Sequence, residues 1–81
     1  MNCEKAKKDS IALYKKLLEH RLYYFSNDVL NSEGRKVFRT FARAFLELYP
    51  QHKPMIVRVR REPTLKNVLK LAKVLEVEVQ I

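Results

Sequence analysis

The chain has 81 residues, 47% of them hydrophobic, with one glycine, one cysteine and a formal net charge of +8. This length fits one domain, and this apolar content supports a core, which excludes disorder over most of the chain. No run of ~18 apolar residues is present, Met1 to Ser10 lacks the apolar stretch of a secretory leader, and the lone Cys3 can form no internal disulfide; a cytoplasmic protein with no membrane association is expected.

The first helix is predicted from about Asp9 to Phe25, with residues 1–8 frayed. Ile11, Tyr14, Leu17, Leu18, Leu22 and Phe25 recur on one face at helical spacing. Arg21 falls inside that stripe, where its stem can pack while its head reaches the rim. Ser26-Asn27-Asp28 ends the helix. A second helix is predicted from Ser32, its cap, to Tyr49, because the following Pro50 disfavours helical backbone at the residue before it. Val37, Phe38, Phe41, Ala42, Phe45, Leu48 and Tyr49 form its inner face. Beside that face Arg35, Arg39 and Arg43 recur at i, i+4 and i+8, flanked by Lys36, with Glu47 as the expected counter-charge.

Gln51-His52-Lys53-Pro54 reads as a turn. Met55–Arg60 is β-branched and alternates from Val57, so propensity makes it a strand with Arg58 and Arg60 on one face and Arg61 at its end. A helix over residues 55–61 is the alternative. A third helix runs from Thr64, its cap, to Leu75, with Leu65, Val68, Leu69, Ala72 and Leu75 inside and Lys66, Lys70 and Lys73 outside. Val77–Ile81 alternates again and reads as a strand. The expected fold class is helix-rich α+β: two N-terminal helices, then strand, helix and strand with a right-handed parallel crossover. The alternative is an all-α helix-turn-helix bundle with a short C-terminal strand. Two strands make a thin sheet, so pairing across a homodimer, or with a partner's sheet edge through Val77–Ile81, is expected.

The charge is concentrated. Residues 35–73 hold 11 of the 17 basic side chains and two acids. Such an excess costs self-repulsion and raises the potential at one surface, and nucleic acid is the commonest partner that offsets it. The residues expected to meet phosphates are Arg35, Lys36, Arg39, Arg43, Lys53, Arg58, Arg60 and Arg61, since guanidinium forks suit phosphate oxygens and guanine edges. Tyr23 and Tyr24 cannot both face the core, which leaves one free to stack on a base. There is no glycine-rich phosphate loop, and His20, His52 and Cys3 have no metal-ligand spacing. No metal, no cofactor and no catalytic residue is expected. The remaining enzymatic alternative is a small ribonuclease using His52 as its proton carrier among arginines.

The run Glu62-Pro63-Thr64-Leu65-Lys66-Asn67-Val68-Leu69-Lys70-Leu71-Ala72-Lys73-Val74-Leu75, with the residues through Val79, resembles the closing helix of Cro/phage-repressor-like helix-turn-helix domains. It looks most like the antitoxins of the HigA type. The resemblance covers about a quarter of the chain. It implies a DNA-binding transcription regulator that acts as a homodimer. It also implies a recognition helix ending near Ile56-Val57-Arg58-Val59, which would carry Arg58, Arg60 and Arg61 toward the major groove. The leading expectation is thus a small nucleic-acid-binding regulator, antitoxin-like, with DNA favoured over RNA. The runner-up is a protein-interaction module whose basic surface meets an acidic partner.

Overall fold

The computed structural model describes residues 3–75, a helix-rich α+β arrangement. Helix α1 spans Cys3–Glu19 and so begins well before Asp9. Residues 4–8 are helical rather than frayed because the buried stripe starts at Ala6 and passes through Ser10 before reaching Tyr14 and Leu17. Ser10 is small and polar, but its hydroxyl donates to the Lys7 carbonyl at 3.0 Å, so its burial leaves no polar group unmet.

The helix stops at Glu19, and a short α2, Arg21–Tyr24, restarts after His20. The interruption rotates the following residues. Tyr24 and Phe25 turn inward, while Leu22, expected on the inner face, is 97% exposed. Arg21 donates through Nη1 to the Leu18 carbonyl at 3.4 Å, at the end of α1.

The sheet is a hairpin, formed where Ser26-Asn27-Asp28 is expected only to end a helix. Strands β1 (Phe25–Ser26) and β2 (Val29–Leu30) pair antiparallel, Phe25 opposite Leu30 and Ser26 opposite Val29. The two turn residues, Asn27 and Asp28, both have positive φ, 53° and 63°. A two-residue hairpin needs that left-handed pair, and Asn and Asp tolerate it better than other non-glycine residues. On its other side β2 meets the later chain: Leu30 N–H donates to the Pro63 carbonyl at 2.8 Å and Leu65 N–H to the Asp28 carbonyl at 2.7 Å.

Helix α3 spans Ser32–Leu48. Its cap is Asn31, not Ser32: the Asn31 Oδ1 accepts from Gly34 N–H at 2.9 Å, and Asn31 Nδ2 donates to the Tyr23 carbonyl at 2.6 Å. Asn31 thus fixes the entry of α3 against α2 as well as satisfying an orphan amide. Phe38, Phe41, Ala42 and Phe45 are buried against α1, with Tyr14 and Phe41 ring centroids 5.6 Å apart. Val37, Leu48 and Tyr49 are half-buried.

After a 3-10 turn, Pro50–His52, residues Lys53–Arg61 form helix α4. The strand expected over Met55–Arg60 is therefore corrected to a helix. Ile56 and Val59 are buried one turn apart, with Met55 half-buried beside them, while Val57 faces solvent. Burial of that single stripe outweighs the β-propensity of Val57 and Val59. Pro54 lies in the first turn, where its missing N–H has no helical acceptor to disappoint.

Thr64 caps α5 (Leu65–Leu69) as expected, its Oγ1 accepting from Asn67 N–H at 3.2 Å. The helix does not run unbroken to Leu75. It turns at Lys70 and Leu71 and resumes as α6, Ala72–Leu75. The cause is Tyr14. Its buried hydroxyl donates to the Val68 carbonyl at 2.7 Å and is bonded by the Ala72 backbone amide. The phenol thus occupies the place of the Val68-to-Ala72 bond, and a side chain inserted in the ladder bends a helix there. The expected strand Val77–Ile81 lies outside the described residues, and the parallel crossover expected between it and Met55–Arg60 is overturned because the latter segment is helical.

Burial pushes the Tyr14 phenol well above its ordinary value, and the Ala72 amide bond only partly offsets this. The unfolded chain ionises this phenol near pH ~10, whereas the folded chain does so only at higher pH. Stability from Tyr14 is therefore complete below pH ~10 and declines as pH rises above it. Tyr14→Phe is expected to lose about 1 kcal/mol at neutral pH, for the missing hydrogen bonds. The gap between the two proteins should close as pH rises above ~10, read by urea denaturation at a series of pH values. A gap independent of pH would contradict the buried, neutral phenol.

Candidate nucleic-acid interface

The cations gather on both sides of α4. Between α4 and α5 lies an open groove of about 900 Å³. Lys53, Arg58 and Arg61 line it from α4, Lys66 from α5 and Lys70 from the turn that ends α5. All five are exposed, and among the described residues Glu62 is the one acid on its walls. The groove exists because the three residues Glu62-Pro63-Thr64 separate α4 from α5 and the bonds to the hairpin hold that turn. Asn67, buried beneath, donates through Nδ2 to the Glu62 carbonyl at 2.9 Å and fastens α5 to the end of α4.

On the opposite flank of α4 is a smaller concavity of about 240 Å³. Arg35 and Arg39 of α3 form one wall, Arg60 and Arg61 of α4 the other, and Leu30, Phe38, Val59 and Pro63 complete its lining. Arg61 lines both cavities, so α4 is a ridge with positive charge on either side.

Six of the eight cations expected from sequence meet here: Arg35, Arg39, Lys53, Arg58, Arg60 and Arg61. Two do not. Lys36 pairs with Glu33 at 3.3 Å, a counter-charge one turn away, so Glu47 is not the sole acid of α3 that meets a cation. Arg43 faces the other side, in the concavity between α1 and α3 beside Asp9 and Glu47. The reason is the helical period: eight residues leave Arg43 rotated about 80° from Arg35, so the i, i+4, i+8 series drifts off one face. Conversely Lys66 and Lys70, read as a solvated outer face, belong to the groove. Their i, i+4 spacing directly after the arginine-rich segment and a three-residue turn was the available signal.

Of the two adjacent tyrosines, Tyr23 is exposed and Tyr24 buried. Tyr23 sits on α2 and lines neither cavity. His52, the proton carrier of the ribonuclease alternative, is half-buried with its ring 6.4 Å from Phe45 and 6.1 Å from Tyr49, and is absent from the groove walls. Among the described residues no His, Cys, Asp and Glu side chains group to hold a metal ion, and no helix is long and apolar enough to cross a membrane.

Compared with known proteins, the chain matches no family model, no curated protein and no solved structure.

Proposed function

We infer that the protein is a non-enzymatic nucleic-acid-binding regulator, antitoxin-like, that docks on duplex DNA as a homodimer with α4 in the major groove. The observation that carries this reading is the ridge: one exposed helix with cations on both flanks. The major groove of B-DNA, about 12 Å wide, admits one helix and has a phosphate chain on each side. In this pose Lys66 and Lys70 face one chain and Arg35 and Arg39 the other, with Arg58, Arg60 and Arg61 between them. The order of elements agrees with the resemblance of residues 62–79 to a closing helix, because α4 then stands at the position of a recognition helix. Duplex RNA is disfavoured because its deep, narrow major groove does not admit side chains.

The test is a titration of the pure protein into short labelled duplex DNA, single-stranded DNA and RNA. If the five groove cations of each protomer neutralise one phosphate apiece, log K should fall against log salt with a slope of about −4 to −5 per protomer, about −9 for the homodimer, on duplex DNA. Duplex should bind tightest. A preference for RNA would replace the DNA reading by an RNA-binding one. Absence of binding at low salt would end the nucleic-acid reading.

A further inference from the structure

The arginine concavity between α3 and the end of α4 has a chemistry of its own. We propose that it binds the terminal phosphate of a nucleic-acid strand, an assignment that rests on the nucleic-acid reading above. Arg35, Arg39, Arg60 and Arg61 line about 240 Å³, and among the described residues no carboxylate lines it with them. None of the four guanidinium groups has a hydrogen-bond or ion-pair partner among the described residues. Helix electrostatics accounts for only half of this crowding. Arg60 and Arg61 lie in the last turn of α4, where the helix dipole favours cations. Arg35 lies in the first turn of α3, where the dipole disfavours one. An anion held between the two walls compensates all four.

Shape selects which anion. A phosphodiester inside a strand offers two free oxygens and carries a sugar on each side, so it reaches a rim but not the interior of a two-walled cavity. A terminal phosphomonoester offers three free oxygens and up to two negative charges. With a sugar on one side only, it can enter. Three oxygens can accept from guanidinium groups of both walls at once. The apolar residues beneath, Leu30, Phe38, Val59 and Pro63, then meet the sugar that follows.

The experiment compares one single-stranded oligonucleotide carrying a 5′-phosphate, a 3′-phosphate or hydroxyls at both ends. Each is titrated into the wild-type protein, Arg39→Ala/Arg60→Ala and Lys66→Ala/Lys70→Ala, with circular dichroism confirming the fold of each variant. One phosphorylated end is expected to bind about tenfold tighter than the hydroxyl form in the wild type. The ratio should fall to about one in Arg39→Ala/Arg60→Ala. In Lys66→Ala/Lys70→Ala it should persist while all three ligands weaken together. Equal binding of the three ligands by the wild type overturns the proposal and leaves the nucleic-acid reading standing. A preference that survives Arg39→Ala/Arg60→Ala overturns the assignment to this cavity. Failure to bind any of the three ligands, or duplex, overturns both.

Discussion

Gly34→Ala is expected to destabilise the protein by about 3 kcal/mol, against the usual direction for this substitution in a helix. Gly34 occupies the first turn of α3, and none of its backbone angles demands glycine. On an open helix face alanine would gain about 1 kcal/mol over glycine. Here an added methyl would stand 2.7 Å from the Leu30 Cδ2 and closer still to the Tyr24 carbonyl oxygen. That carbonyl cannot step aside cheaply, because it accepts the Asn31 N–H at 2.9 Å. The sole glycine of the chain is therefore required for the close approach of α3 to the end of α2. In a domain of this size the loss corresponds to a fall in melting temperature of about 15 °C. Thermal denaturation followed by circular dichroism reads it, and a variant as stable as the wild type would dismiss the close approach as the reason for glycine.

Arg58→Glu combined with Arg61→Glu is expected to lower affinity for a short duplex about a hundredfold or more at moderate salt. Both side chains are exposed and line the groove between α4 and α5. Their reversal replaces two attractions to phosphate by two repulsions. Stability should fall by about 1–2 kcal/mol, because both positions lie in the last turn of α4, where the helix dipole disfavours carboxylates, so circular dichroism first confirms that the variant is folded. The informative controls are Lys36→Ala and Arg43→Ala, each of which removes one charge away from the ridge. Each control should cost less than about threefold, measured by fluorescence anisotropy on the same duplex. If the controls cost as much per charge as the groove variant, net charge alone drives association and α4 has no special place. If the groove variant binds like the wild type, the interface lies elsewhere.

Helix α3 was legible in the sequence because three independent signals agree there. Its phenylalanines repeat at helical spacing, a capping side chain precedes them, and Pro50 follows. Helix α4 was not, because its local signals disagree. The Val57-to-Arg60 alternation is that of a strand, and only Ile56 and Val59 are buried to argue otherwise. The decision is made by packing against residues distant in sequence, which no local window contains. The hairpin was hidden for a related reason: Asn27-Asp28 takes the left-handed turn without the glycine that usually announces it. The break after α5 was invisible because its cause, the Tyr14 hydroxyl, sits in another helix. For the candidate interface, the residue types and most positions were readable from charge alone. Their convergence on α4, the loss of Arg43 to helical drift and the contribution of Lys66 and Lys70 needed the turn at Glu62–Thr64.

The bonds that hold that turn join residues 28–30 to residues 63–65, and α3 and α4 form the loop between them. Closing so long a loop costs chain entropy before it returns any contact, so this junction belongs among the late events of folding. During synthesis the arginines of α3 and α4 leave the ribosome first, already charged but with no opposing wall. The groove comes into being only when the Pro63–Leu65 segment has emerged and docked on the hairpin. A nascent chain, or a fragment cut before Thr64, thus carries most of the positive charge of the protein without the shape that would direct it.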